Sequence, residues 1–254
     1  MLKYTRWSDL EVEHLNALDR QLVTGEKLML ARIRLLDKAI VPEHSHYHEQ
    51  VCYVLEGALR FGVPGKEITV AAGEVLCIPP HLPHSAVAIG DSLVLDTFYP
   101  PREDWLSQDD SYLRGSAAPN SAGGGSGRTL SEDSRLKHVR WCEVDCEQLN
   151  PLLGRQMVTG QNLMLARVYL RKGCVVPEHS HMNEQLTHIL QGALRFWIDG
   201  QEIDLRAGEL LSIPSHMPHK AEALEDTVDL DIFFPPRQDW ISKSDAYLRE
   251  VVKT

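Results

Sequence analysis

The sequence predicts an all-β chain made of two copies of one domain, and three observations carry that reading. RQLVTGEKLMLAR from Arg20 returns as RQMVTGQNLMLAR from Arg155, an offset of 135 residues that still holds between Arg114 and Arg249. A stretch of roughly 95 residues therefore repeats without net insertion, about half of its positions identical. Within each copy, short β-rich runs alternate with Gly and Pro at the spacing of a sandwich or barrel. Between the copies lies GSAAPNSAGGGSG, residues 115–127, whose composition cannot bury apolar surface and reads as a flexible linker. Two copies of so long a period are fused domains, since solenoid units run to about 20 to 50 residues. The expected organisation is a domain at 1–114, a linker at 115–135 and a second domain at 136–254.

Taken in order, the first copy offers a short helix around Ser8 to Leu15, then the runs LMLARIRLL, QVCYVLEGALRFGV, EITVAAGE and SLVLDTFYP as strands. The Pro-Pro step after the last run marks a strand end, because proline cannot donate to a sheet ladder. A second short helix is expected around Asp104 to Leu113, and the second copy repeats the series.

Composition excludes several classes. With 43% hydrophobic and 24% charged residues, 17 Gly and 14 Pro in 254 residues, usage is that of an ordinary globular protein. Lys plus Arg is 26 against 36 Asp plus Glu, and a net charge of -10 argues against a nucleic-acid partner, whose footprint would be basic. No run reaches the roughly 18 to 20 apolar residues of a membrane span, and MLKYTRWSDLEVEHL lacks a secretory h-region, so a cytoplasmic protein without a membrane partner is expected. The five cysteines are odd in number and form no Cys-x-x-Cys pair, which favours buried thiols.

Chemistry concentrates in repeated motifs. VPEHSHYHEQ spans 41–50 and VPEHSHMNEQ spans 176–185. Side chains alternate along a strand, so His44 and His46 project to one face, as do His179 and His181. Gln50 and Gln185 follow with the same parity. GEVLCIPPHLPH and GELLSIPSHMPH each deliver a third histidine after a proline, His84 and His219. Three imidazoles and an amide oxygen suit Zn, Ni, Fe, Mn or Cu, one ion per domain, and are too nitrogen-rich for calcium or magnesium. Ordinary core or surface histidines would not explain the same spacing twice. His48 is matched by Asn183 and lines a pocket at most, while His81 and His216 shape the loop before the third histidine. His14, His138 and His188 have no repeat partner and read as structural or solvated.

This pattern resembles the two cupin motifs, G-x5-H-x-H-x3-E-x6-G and G-x5-P-x-G-x2-H-x3-N. His44, His46 and Gly57 fit the first, with Gln50 in the acidic ligand's place, and Gly73, Pro79 and His84 fit the second. Copy two places His179, His181, Gln185, Gly192, Gly208, Pro214 and His219 alike. Both copies depart from the motifs with Gln for Glu, with His81 or His216 for glycine, and without the terminal Asn. The glutamine removes one negative charge, which leaves the metal a stronger Lewis acid. The resemblance implies a bicupin of tandem double-stranded β-helix, or jelly-roll, barrels of the RmlC-like kind, forming an intramolecular pair and leaving a further homodimer open.

A second signature, LDTFYPPREDW at 95–105, returns as LDIFFPPRQDW at 230–240. Asp96 and Phe98, and Asp231 and Phe233, share a strand face and can look into the same cavity as the metal. The plainer alternative is a turn carboxylate and a solvated arginine. This tail is similar to the pectin-degradation, KdgF-type cupins, which open 4,5-unsaturated uronates to linear keto sugars on three histidines and a glutamine. Their active-site Asp, Phe and Arg fall on Asp96, Phe98 and Arg102, and on Asp231, Phe233 and Arg237. More weakly, the chain resembles the BacB-type bicupin isomerase. Both resemblances imply a metal-dependent lyase or isomerase of uronate-type metabolism acting on a small anionic substrate. The metal would polarise a substrate oxygen, Asp96 or Asp231 shuttle the proton, Arg102 or Arg237 hold the carboxylate as a bidentate fork, and Phe98 or Phe233 exclude water. Other classes remain: a metal-dependent dioxygenase, a biosynthetic double-bond isomerase, and a non-catalytic ligand-binding cupin. The copies differ at Ser85 and Lys220, Val94 and Asp229, and Tyr53 and His188.

Overall fold

The computed structural model describes residues 2–16, 18–114 and 135–249. All but the last residue of the expected linker lies outside them. The described residues form two compact units, one of Glu11–Leu22 with Met29–Trp141, the other of Met1–Leu10, Val23–Leu28 and Cys142–Thr254. Each is an all-β jelly roll, as the spacing of the strands predicts.

In the unit of the second copy, a seven-stranded sheet runs Lys3–Arg6, Glu209–Ile213, Glu184–Gln191, Thr227–Phe234, Met164–Leu170, Leu153–Thr159 and Glu147–Asn150. A four-stranded sheet runs Val175–His179, His219–Ala223, Ala193–Ile198 and Gln201–Arg206. Every pairing given for these sheets is antiparallel. The strands earn their place by alternation: along Met164–Leu170 every second side chain from Met164 is buried, and such period-two burial is what a strand with one core face requires. Met164, Ala166, Leu194, Phe196, Leu211 and Phe233 share one apolar core.

The unit of the first copy repeats this plan with longer strands. Glu49–Val63 and His84–Tyr99 run on without a break where the second copy has two strands each. They bend instead at register shifts around Glu56. At that corner sit Gly57 (φ 73°) and its counterpart Gly192 (φ 81°), in the left-handed region that only glycine enters freely. An added Cβ at either would strike the backbone of the facing strand.

Both expected helical segments need correction. Ser8–Leu15 is a single 3-10 turn, Trp7–Asp9, followed by strand Glu13–Leu15. A hairpin wins there because Asn16 takes φ 48°, Leu15 pairs with Leu18, and Glu13 reaches across to Arg20. Asp104–Leu113 is two helices, Glu103–Leu106 and Ser111–Arg114, interrupted where Gln108 takes φ 59°. Both sheets' final strands stop at the Pro-Pro steps, as expected. Of the cysteines, Cys52, Cys77 and Cys174 are buried, but Cys142 and Cys146 are exposed. No described helix is long and apolar enough to cross a membrane.

Candidate metal centres

The cross-strand register brings the predicted histidines together. His44 ends strand Ile40–His44 and lies opposite His84, the first residue of the next partner strand; His179 lies opposite His219 in the same way. His46 and His181 follow two residues on, and a main-chain bond from His81 N–H to the His46 carbonyl ties the two motif loops (2.7 Å), with His216 and His181 matching it at 2.7 Å. Ring centroids of His44, His46 and His84 are 4.4 to 5.6 Å apart, and those of the second trio 4.3 to 5.7 Å. One ring nitrogen from each histidine of a trio falls within 4.8 Å of the others, close enough to share an ion.

Main-chain carbonyls fix which nitrogen that is. Nδ1–H of His44 donates to Pro42 O (2.9 Å), of His46 to His48 O (3.0 Å) and of His84 to Leu82 O (2.8 Å). His179, His181 and His219 donate likewise to Pro177, Asn183 and Met217. This leaves Nε2 as the inward lone pair on all six, because a carbonyl that holds the far nitrogen fixes the tautomer and the orientation of a metal-binding imidazole. Burial first, then the neighbouring imidazoles and arginine, push His44 down to about 3 and His46 to about 2, with His179 at about 4 and His181 at about 3. The rings are neutral at pH 7, the form that ligates metal.

Two acceptors then face each other. His46 Nε2 lies 3.2 Å from Gln50 Oε1, and His181 Nε2 3.1 Å from Gln185 Oε1. The orientation of Gln185 is set from its other end, where Nε2–H donates to Thr187 Oγ1 (2.8 Å) and Asp231 Oδ1 (2.9 Å). With no proton between them, such lone pairs are accommodated by a cation. His84 Nε2, buried and without a partner among the described residues, makes the same demand. The donor set fits a transition metal in both copies. A glutamate in place of Gln185 could not donate to Asp231, which explains the chemistry of the substitution: one amide serves the ion with oxygen and the acid with nitrogen.

The acids lie where parity placed them. Asp96 and Asp231 are buried, opposite Cys52 and Thr187. Burial raises each to about 6, against the opposing bonds from Cys52 and Gln50, or from Thr187 and Gln185. Phe98 and Phe233 stand edge-on to His46 and His181, at 5.8 and 5.7 Å. The arginines are buried too, so the solvated alternative falls. Their forks are already occupied: Arg102 gives Nε and Nη2 to Asp104 (2.8 and 2.6 Å), and Arg237 does the same to Asp239 (2.9 and 2.6 Å). A bidentate grip on substrate is therefore not on offer, although Arg102 Nη1 is buried and has no partner among the described residues.

Sequence reasoning missed the wall opposite. Tyr112 stacks on His44 (4.6 Å) and Tyr247 on His179 (4.7 Å), and their hydroxyls accept from Arg102 and Arg237. Trp105 lies between Arg20 and Arg102, 4.4 and 4.7 Å from the two guanidinium carbons. The signal available was recurrence at the 135-residue offset, which Tyr247, Trp240 and Arg155 share. Together these residues line a cavity in each copy. His48 does not line its cavity.

The model of the cupin domain matches residues 32–97 and again 166–234, together just over half of the chain. The chain belongs to the cupin family. No curated protein matches it in sequence. Solved structures similar to it include single-site variants of Bacillus subtilis oxalate decarboxylase. One has 20% identity, a TM-score of 0.73 and coverage of 92% of this chain and 77% of that one; another has 17%, 0.73, 95% and 83%. A third, studied for the Mn(II) centres of the same enzyme, has 18% identity and a TM-score of 0.73, covering 92% and 77%. At such identities the likeness concerns the bicupin fold. Relative to the cupin motif, this chain carries His81 and His216 where glycine is usual, and both adopt φ 64°. They shape the loop that presents His84 and His219, as their recurrence implies.

Proposed function

We propose that each cavity carries out metal-dependent proton transfer on a small carboxylated substrate, as a lyase or isomerase. Ring opening of a 4,5-unsaturated uronate to a linear keto sugar is the reaction we assign first. The observation that supports it is a buried carboxyl one hydrogen bond from the glutamine whose oxygen faces the three imidazoles. A divalent transition metal held by His44, His46, His84 and Gln50, and by His179, His181, His219 and Gln185, would supply Lewis acidity toward a substrate oxygen. Manganese comes first among Zn, Ni, Fe, Mn and Cu because of the Mn(II) centres named for the oxalate decarboxylase neighbour.

The chain's own groups do the rest. Asp96 and Asp231, held at about 6, can both take and return a proton near neutrality. Arg102 offers its Nη1 amino group to a substrate carboxylate, and Asp104 holds the guanidinium there. Phe98 and Phe233 keep water from the reacting atoms. Decarboxylation of a small dicarboxylate is the second reading, favoured by the shared fold with oxalate decarboxylase.

The test follows the enol absorbance of 4,5-unsaturated galacturonate with the metal-loaded chain and with the D96N/D231N double variant. Faster decay with the wild type alone supports the assignment. No acceleration with any of the five metals, although two ions are bound, sinks the uronate reading, and oxalate consumption under those conditions moves the function to the second.

A further inference from the structure

The two cavities match closely along most of their walls, Leu18 by Leu153, Leu35 by Leu170 and Phe61 by Phe196, with Ile33 by Val168 a change between apolar residues, but at one position an apolar residue is replaced by an acid. Strand Thr227–Phe234 sends Phe233, Asp231 and Asp229 into the second cavity, whereas the first has Val94 in place of Asp229. Asp229 lies two residues before Asp231, about 7 Å along the strand, and so on the far side of the acid from Phe233. It is 4% exposed, and its Oδ1 has no hydrogen-bond partner among the described residues. Asp231 Oδ1, in contrast, receives both Gln185 and Thr187. A buried oxygen on a residue flanked by Val168 and Ile189 of the neighbouring strands is costly unless something entering the cavity donates to it.

We propose that Asp229 sets ligand choice in the second cavity. This site takes a small acid carrying a hydroxyl or ammonium group where the first site, with Val94, takes a methyl group. The chain thus holds two sites of different specificity rather than two equal ones. The inference rests on reading both cavities as small-molecule sites with the ligand's carboxylate at the metal end. Discrimination follows because a methyl leaves Asp229 Oδ1 unpaired, and Val94 leaves a hydroxyl unpaired.

Three acids of equal length test it: pentanoate, 4-hydroxybutyrate and 4-aminobutyrate, titrated calorimetrically into the manganese-loaded full chain. The wild type should bind one equivalent of pentanoate and one of a donor-bearing acid, the hydroxyl and ammonium arms showing which donor is preferred. D229V should weaken the donor-bearing acid at least tenfold and raise pentanoate to two equivalents, and V94D should do the reverse. D229N, which keeps a polar group, should hold 4-hydroxybutyrate within a few-fold. Thermal melts check that each variant folds; D229V installs the residue the first copy already has, so it decides alone if V94D does not fold. Binding unchanged in D229V overturns the role of Asp229 but keeps the small-molecule sites. No binding of any acid to the wild type overturns both.

Discussion

Each imidazole of the two trios is tied at Nδ1 to a carbonyl two residues away, so three lone pairs meet at one point without any long-range adjustment. Removing one ring should cost that copy its ion and leave the other copy alone. H84A is expected to retain one bound metal per chain after dialysis and H84A/H219A none, against two for the wild type, as read by mass spectrometry of metal content. Two ions retained by H84A would show that His84 is not a ligand. The histidines and Gln50 were legible because the same spacing recurs in both copies; strand alternation is not what gathers them, since the strand ends at His44, His46 lies in the loop and Gln50 belongs to the next strand, Glu49–Val63. The fate of Arg102 was not. Its nearest acid, Asp104, is two residues away and wins the fork by proximity, whereas sequence parity speaks only of faces and not of which partner a long side chain finds.

The segment after the Pro-Pro step shows the same limit on a larger element. A continuous helix over 104–113 was expected, yet two four-residue helices form, because the segment is organised by partners outside it. Trp105 packs under Arg20 and Arg102, and Asp110 meets Arg20 at 2.6 Å with both side chains buried. Burial alone would raise Asp104 and Asp239, but their bonds to Arg102 and Arg237 outweigh it and hold both below the usual carboxylate range. An acid with a depressed folded pKa stabilises above its unfolded value, near 3.9, and loses that contribution as pH falls through the folded value. D104N/D239N should therefore be less stable than wild type by about 1.5 to 3 kcal/mol per site at pH 7, the range for hydrogen bonds to charged groups. The gap should stay constant down to about pH 4 and close below it. Urea unfolding across pH in the presence of a chelator measures it, and a gap that persists at pH 2 would contradict the ion-pair origin.

Across the whole molecule, order in sequence and membership of a packed unit part company at the first strand of each copy. Lys3–Arg6 pairs with Glu209–Ser212 of the second copy, and Lys137–Arg140 pairs with Glu74–Cys77 of the first. The copies read from the repeat, 1–114 and 136–254, remain units of sequence, while each unit of packing takes its opening strand from the other copy. The repeat could not reveal this, because Arg6-Trp7 and Arg140-Trp141 are the same dipeptide and carry no mark of which barrel they join. What the strand contributes is specific: Trp7 is buried and donates to His188 Nε2 at 3.1 Å, and Arg6 meets Glu209 at 2.8 Å. Deleting residues 2–9 removes a buried tryptophan, worth about 3 to 5 kcal/mol, and leaves the edge of Glu209–Ile213 unpaired. Hydrogen exchange should then rise at Glu209–Ser212 in the second copy, although the deletion is made at the start of the first. Protection at Glu74–Cys77, covered by Lys137–Arg140, should stay as in the wild type. Exchange that rises at Glu74–Cys77 instead would show that the opening strand serves its own copy, and would return the units of packing to the order of the sequence.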